Sequence, residues 1–265
     1  MHFKSALVTA VSETLFRKRT VTRTAFERID RLLVERGLFE SRAKAQAAIA
    51  AGLVIADGKL IRKASDEVPV DAKLVASPAH PYVSRGGVKL AAALDRFAID
   101  PKDRVCLDVG ASTGGFTQVL LERGAGRVYA VDVGRNQLHE SLRKRSEVVA
   151  LEQTDIRSLS PGRFEPAPDL ITVDVSFISL TQVLPAALAL SQTPAQLVAL
   201  IKPQFEAGRA AAKKGVVRDP AIRQSVCDDI AAFVAALGWH VLGVMPSPIL
   251  GGDGNVEFLL GAARD

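Results

Sequence analysis

Residues 104–117 read "RVCLDVGASTGGFT", an apolar run of strand character closing in a glycine cluster. Side chains are stripped from a loop where the backbone must come close to a ligand, as happens around nucleotides. Two familiar nucleotide loops do not fit it. The dinucleotide fingerprint is G-x-G-x-x-G, and the phosphate loop is G-x-x-x-x-G-K-[ST]. Here the spacing is Gly110-Ala-Ser-Thr-Gly114-Gly115, and Phe116 stands where the phosphate loop carries its lysine.

From Arg104 onward, strand-like and helix-like runs alternate. The strand-like runs are "RVCLDVG", "RVYAVDVG", "VVALEQTDI", "PDLITVDVSF", "AQLVALIKP", "HVLGVMPSP" and "NVEFLLGA". Amphipathic runs such as "GGFTQVLLERG", "LTQVLPAALALS" and "DPAIRQSVCDDIAAFVAALG" lie between them. Seven strands interleaved with helices predict a doubly wound, mostly parallel α/β sheet. Ligands of such sheets sit at the carboxyl ends of the central strands.

Acidic residues close three of those strands. Asp108 precedes the glycine loop, Asp132 ends the second strand in "YAVDVG", and Asp155 ends the third in "EQTDIR". A carboxylate at Asp132 accepts both hydrogens of a ribose 2′,3′-diol, a bidentate geometry that a short acidic side chain supplies. Asp155 is placed to meet an exocyclic adenine amine. The competing reading of a strand-end acid is a helix cap. Taken in order, the features describe an adenosine pocket without a pyrophosphate grip, and so S-adenosylmethionine rather than NAD. The expected cofactor contacts are Asp108, Gly110, Ser112, Thr113, Gly114, Gly115, Phe116, Asp132, Val133, Asp155 and Ile156.

Further along, "PDLITVDVSFISL" puts Asp174 at the end of the fourth strand. Amino-directed base methyltransferases carry an Asn/Asp-Pro-Pro-aromatic run there, and carbon-directed enzymes need a cysteine nucleophile. This chain has Asp-Val-Ser-Phe, and Cys106 lies in the first strand. The fifth strand ends in "LIKPQFEAG" with Lys202, the last strand brings "GGDGNVEFLL" with Glu257, and "VSRGGVKL" supplies Lys89.

Composition bounds the rest. The chain has 265 residues, 48% apolar and 24% charged, enough for one sizeable α/β domain and a small companion. No window approaches the roughly 18 uninterrupted apolar residues of a membrane span. The N-terminal "MHFKSALVTAVSETLFRKR" lacks the long apolar core of a secretory signal, which predicts a cytoplasmic chain. Cys106 and Cys227 read as reduced packing residues. His2, His80, His139 and His240 show no metal-ligand spacing, and no metal site is expected. Trp239 is expected to pack at a helix–strand junction. No oligomeric state is read from the sequence.

Charge is uneven: residues 1–75 hold 14 Lys/Arg against 9 Asp/Glu, whereas residues 76–265 hold 20 of each. Much of the excess lies in a basic leader, residues 1–26, which is expected to be a flexible arm. Such an arm suits a polyanion, and equally a solvated tail. After it, "ERIDRLLVERGLFESRAKAQAAIAAG" predicts two short helices, the first stopped at Gly37 and the second capped by Ser41 and stopped at Gly52. "LVIADGKLIRKASDEV" alternates around a tight turn at Asp57-Gly58. This 27–75 unit resembles an S4 RNA-binding domain, and the resemblance makes Arg28, Arg31, Arg42, Lys44, Arg62 and Lys63 phosphate contacts. A linker over 76–84 follows. Arg85 joins the RNA-contact set, and in "AGRAAAKKGVVRD" Arg209, Lys213 and Lys214 are expected to close over RNA.

Lys89, Asp174, Lys202 and Glu257 match the Lys-Asp-Lys-Glu set of FtsJ-type ribose 2′-O-methyltransferases. With "RGGVKLAAAL", "CLDVGASTGGFTQVLLERGA", "VYAVDVGRNQL", "KPQFEAGR", "KGVVRD" and "GNVEFLL" in order, the chain resembles the TlyA family. That resemblance implies a small α+β S4-like domain followed by a Rossmann-like methyltransferase domain over 85–265, with a seven-stranded, mostly parallel sheet. It implies methyl transfer from S-adenosylmethionine to a cytidine ribose 2′-hydroxyl of 23S or 16S rRNA, on RNA or ribosomal subunits and without a membrane. In the implied chemistry Lys202 takes the hydroxyl proton, Asp174 orients Lys202, and Glu257 positions Lys89. The family commonly has Asn at the position of Asp155. Three other readings stand beside it: a membrane-active haemolysin, a label this family carries; a non-catalytic RNA-binding factor; and, last, an NAD-dependent reductase.

Overall fold

A computed structural model describes residues 25–208, 211 and 215–265. The basic leader up to residue 24 and Arg209, Lys213 and Lys214 lie outside the described residues. The chain divides into two compact units that part between Ala79 and His80.

The first unit runs β1 (Phe26–Arg28), α1 (Ile29–Glu35), α2 (Arg42–Ala50), β2 (Val54–Ala56), β3 (Lys59–Leu60), β4 (Glu67–Pro69) and β5 (Leu74–Ala76). Ile29, Leu32 and Leu33 from α1 and Ala45, Ala48 and Ile49 from α2 close a core with Val54, Ala56 and Ile61. Ser41 caps α2 by accepting from Lys44 N–H at 3.4 Å. Asp57 (φ +47) and Gly58 (φ +78) both take the left-handed conformation that the two-residue turn between β2 and β3 requires. Phe26 belongs to β1, paired with Pro69, so the unit begins inside the stretch assigned to the leader.

The second unit runs α3 (Gly86–Phe97), β6 (Val105–Val109), α4 (Gly115–Glu122), β7 (Arg127–Val131), α5 (Glu140–Arg143), β8 (Val148–Leu151), β9 (Leu170–Val173), α6 (Leu180–Ala189), β10 (Ala195–Ile201), α7 (Pro203–Glu206), α8 (Pro220–Ala236), β11 (His240–Pro246) and β12 (Phe258–Arg264). The seven strands stand in the order β8-β7-β6-β9-β10-β12-β11. Only β12 is reversed, antiparallel to both β10 and β11. Each central strand is buried on both faces. Leu107 and Val109 point to the α6/α8 layer, while Cys106 points to the α3/α4 layer with Leu90, Leu94 and Leu120.

Helix α3 was not legible as a helix, because its first turn is Gly86-Gly87. Leu90, Ala93 and Leu94 at helical spacing are what bury it. Trp239 is buried between α8 and β11, with the Arg264 guanidinium 4.9 Å from its ring centroid. Both cysteines are buried free thiols; burial pushes Cys106 up to about 12 and Cys227 to about 11. No helix among the described residues is long and apolar enough to cross a membrane.

Candidate active site

Strand order reverses at β6: the chain passes outward to β7 and β8 on one side, then returns to β9 and β10 on the other. Such a reversal opens a crevice at the carboxyl ends of the strands. The crevice holds a cleft of about 490 Å³ and, beside it, one of about 180 Å³. Gly110, Ser112, Asp174 and Ser176 line both.

The glycine loop is their shared wall. Gly110 has φ +80, and a Cβ there would overlap the carbonyl of Asp174, so the ends of β6 and β9 meet only around a glycine. A Cβ on Gly115 would overlap Ser84 Oγ at the opening of α3. Ser112 adopts φ +47 without being glycine, and its N–H donates to Asp132 Oδ2 at 2.8 Å. Thr113 and Phe116 line the smaller cleft. Gly114 lies outside both linings. It caps α4 at φ +95, where a Cβ would overlap Leu142.

Asp108, expected among the cofactor contacts, does not reach the cleft. Strand alternation turns it to the α4 side with Cys106. It is 0% exposed and accepts from Thr117 Oγ1 at 2.6 Å and Thr172 Oγ1 at 3.1 Å. Burial pushes its carboxyl up to about 7, opposed by those two hydroxyls and reinforced by the charge of Asp174. Asp108 therefore ties α4 to β9 beneath the loop.

Asp132 lines the larger cleft with Val133, Asp155 and Ile156. Its Oδ1 accepts from Gly134 N–H at 2.7 Å, and Oδ2 from Ser112. Each oxygen keeps acceptor capacity beyond its one backbone partner. Asp155 is more heavily engaged. It caps the 3-10 turn Ile156–Ser158 and takes Arg157 Nε at 3.0 Å and Nη2 at 2.6 Å. Hydrogen bonds from Arg157 hold its carboxyl below the usual range. The cap reading of this acid is thus realised at the cleft itself.

The four-residue set falls into two ion pairs. Lys202, which follows β10, donates from Nζ to Asp174 Oδ1 at 2.6 Å and to Ser176 Oγ at 2.8 Å, on the smaller cleft. Lys89, on α3, donates to Glu257 Oε2 at 2.5 Å; both are buried, and neither lines either of these two clefts. Helix α3 connects the pairs, because a Cβ on Gly86, one turn before Lys89, would lie 3.6 Å from Asp174 Oδ2.

Sequence reasoning missed three residues here. Ser176 holds Lys202. Phe177 is 91% exposed at φ +65, lines the larger cleft, and has its ring centroid 5.0 Å from that of Phe205. A bulky side chain in the left-handed region is strained backbone, the kind that clusters at functional sites. Its signal was present as the aromatic three residues after Asp174. Glu152 had no such signal. It accepts from Asn136, Gln137 and Leu138 N–H at 2.7, 2.7 and 2.9 Å, and so anchors the loop behind Asp132.

In the first unit, four of the expected phosphate contacts already face acids. Arg28 and Arg42 both pair with Asp30, at 3.1 and 2.7 Å. Arg31 pairs with Glu27 and Lys44 with Glu40. Burial alone would raise the Asp30 carboxyl, but hydrogen bonds from Arg28, Arg42 and Gln46 outweigh it and bring it far below the usual range. Arg62 and Lys63 are exposed without a salt bridge among the described residues. In the second unit, Arg85 is exposed and donates to the Leu250 carbonyl at 3.5 Å.

A family model described as FtsJ-like methyltransferase matches residues 82–264, and an S4 domain model matches residues 27–74. The Bacillus subtilis protein YqxC, provisionally an rRNA methyltransferase, is 47% identical over 238 residues, covering 88% of this chain and 84% of that protein. The Mycobacterium tuberculosis 16S/23S rRNA (cytidine-2′-O)-methyltransferase TlyA is 46% identical over 236 residues, 88% of each chain. Among solved structures, a Streptococcus thermophilus protein provisionally called a hemolysin superposes with a TM-score of 0.72 at 42% identity, covering 91% of this chain and 89% of that one. The chain belongs to the TlyA family, an S4 domain joined to an FtsJ-like methyltransferase.

Proposed function

We propose that the protein transfers a methyl group from S-adenosylmethionine to a cytidine ribose 2′-hydroxyl in 23S rRNA, 16S rRNA or both, with rRNA or a ribosomal subunit as its partner. The observation that carries this reading is Lys202 Nζ, held by Asp174 and Ser176 on the cleft that shares the glycine wall. The residues present fit an adenosine. Val133, Ile156, Ile178 and Val183 offer apolar walls to a purine, and Asp132 offers acceptors to a ribose diol.

When bound, S-adenosylmethionine supplies an already activated methyl group. The chain's task is then to place a weakly nucleophilic hydroxyl and receive its proton. Lys202 Nζ receives it. It does so as the neutral amine: its two N–H groups donate to Asp174 and Ser176, and its lone pair is left to accept the hydroxyl proton, which converts it to the ammonium paired with Asp174. Lys89, neutralised by Glu257, holds α3 against the site and supports the wall from behind. Phe177 presents its ring to the target base, because base–aromatic stacking asks only for an exposed π-face. Arg62, Lys63, Arg85 and the outer edges of Arg28, Arg31, Arg42 and Lys44 supply phosphate contacts, which position RNA without reading it.

The test is incubation of the purified protein with rRNA, and with separate ribosomal subunits, in the presence of labelled S-adenosylmethionine. Label at a cytidine ribose is expected. Label confined to bases, or none, overturns the reading.

A further inference from the structure

The segments that leave β9 and β10 are laced together at three successive levels. At the first, Lys202 meets Asp174 and Ser176. At the second, the Phe205 ring lies against Phe177. At the third, Glu206 Oε2 accepts from Ser179 Oγ at 2.6 Å, and its Oε1 accepts from Leu180 N–H at 2.8 Å. The first level is the proposed chemistry. The third is remote from it, since Glu206 lines neither cleft.

We propose that Glu206 is a positioning residue for methyl transfer: by fastening α7 to the head of α6, it sets where Lys202 and Phe177 stand at the cleft. This rests on reading the cleft as the methyltransferase site. Lys202 caps α7 and Glu206 ends it, so the two lie one helical turn apart on the same short rigid piece. A shift of α7 is therefore a shift of Lys202.

Phe177 gives the second line of support. Its left-handed backbone persists only where the surroundings over-determine it. On its N-terminal side, Asp174 N–H donates to the Val109 carbonyl at 2.9 Å. On its C-terminal side the corresponding fastening is Glu206, which holds Ser179 and Leu180 together. The competing account is that Glu206 merely satisfies free donors at the start of α6, which would affect stability alone.

The experiment measures kcat on rRNA, the Kd for S-adenosylmethionine and Tm for the full-length wild type and for Glu206→Ala, Glu206→Gln and Ser179→Ala. Glu206→Ala is expected to lower kcat about tenfold or more, since small misplacements at a reacting centre are costly. Cofactor Kd should stay within about twofold, because Asp132 and the glycine loop keep their own contacts. Glu206→Gln should recover most of the loss, because its oxygen still accepts from Leu180 and its amide can donate to Ser179 Oγ. Ser179→Ala, which removes one fastening, should fall between them and decides the matter if Glu206→Ala does not fold. Turnover near wild type in Glu206→Ala or Ser179→Ala overturns the inference, as does a parallel loss of cofactor affinity or a Gln variant as poor as Ala. A wild type that never methylates ribose defeats the underlying function instead.

Discussion

Lys202 and Asp174 close two neighbouring parallel strands, and their side chains meet at 2.6 Å on the wall of the smaller cleft. Asp174 holds Lys202, a largely buried side chain, in place on that wall. Replacing Lys202 by Ala is expected to lower kcat by roughly 10²–10⁴, the usual contribution of a positioned acid–base group. Affinity for S-adenosylmethionine should be nearly unchanged, because Lys202 lies outside the lining of the larger cleft. Single-turnover methylation beside calorimetric titration separates the two. Undiminished turnover would remove Lys202 from the chemistry.

Asp132 has the opposite profile. Its carboxylate supports Ser112 and Gly134 N–H and faces the larger cleft. Asp132→Ala takes away the acceptor proposed for the ribose diol and loosens the loop around it. Cofactor affinity should fall by about ten- to a hundredfold, the scale of losing hydrogen bonds to a charged group. Asp132→Asn should fall less, since its oxygen still accepts. Titration of each variant with S-adenosylhomocysteine reads the difference, and equal affinity for all three proteins would exclude Asp132 from the adenosine pocket.

Legibility in the sequence followed the range of the physics involved. The seven strands and the helices between them were readable because every core strand repeats an apolar pattern that a buried sheet demands, as in "RVCLDVG" and "PDLITVDVSF". Gly110 was readable because only backbone can fill its space. Asp108 was misplaced because an acid beside a glycine loop looks the same whether its side chain points to a ligand or to Thr117. Strand parity at one position decided that. Asp30 escaped notice altogether. Its partners Arg42 and Gln46 come from a different helix, and such a convergence exists only after folding.

Phe177 separates stability from recognition. Its ring makes one aromatic contact and is otherwise in solvent, so Phe177→Ala forfeits little burial. Tm should stay within about 2 °C of wild type, the shift expected from well under 1 kcal/mol. The efficiency kcat/KM for rRNA should fall about tenfold, matching the loss of one base stack. An unaltered kcat/KM would leave the strained backbone at Phe177 without the role assigned to it.

Arg42 and Arg62 distinguish a structural from a free basic group in the S4 unit. Arg62→Ala removes an exposed charge, so RNA affinity should fall evenly across sequences and the salt slope should drop by about one. Tm should not move. Arg42→Ala also removes a partner of the buried Asp30, so it should lower Tm as well as weaken RNA binding. Filter binding across a salt series, with thermal melts, tests both. Identical melts for the two variants would show that Asp30 does not depend on Arg42.

Asp108 gives a pH dependence whose sign runs against the usual carboxylate. Most native acids are held below their ordinary range and stabilise the fold above it. Asp108 is instead raised to about 7 by burial, from an ordinary value of 3.8. Between those values the folded chain keeps a proton that the unfolded chain has released. The folded state then binds more protons, so this group's stabilisation is full below about pH 4 and is lost as pH rises through about 7. Asp108→Asn cannot ionise and removes that slope. It gives up one acceptor, so Thr117 or Thr172 must turn its hydroxyl elsewhere, a loss that does not vary with pH. The Tm of Asp108→Asn measured against wild type should therefore improve between about pH 5 and pH 8. A difference that is flat across that range would show that Asp108 is ionised throughout. Its two threonine hydroxyls would then outweigh its burial.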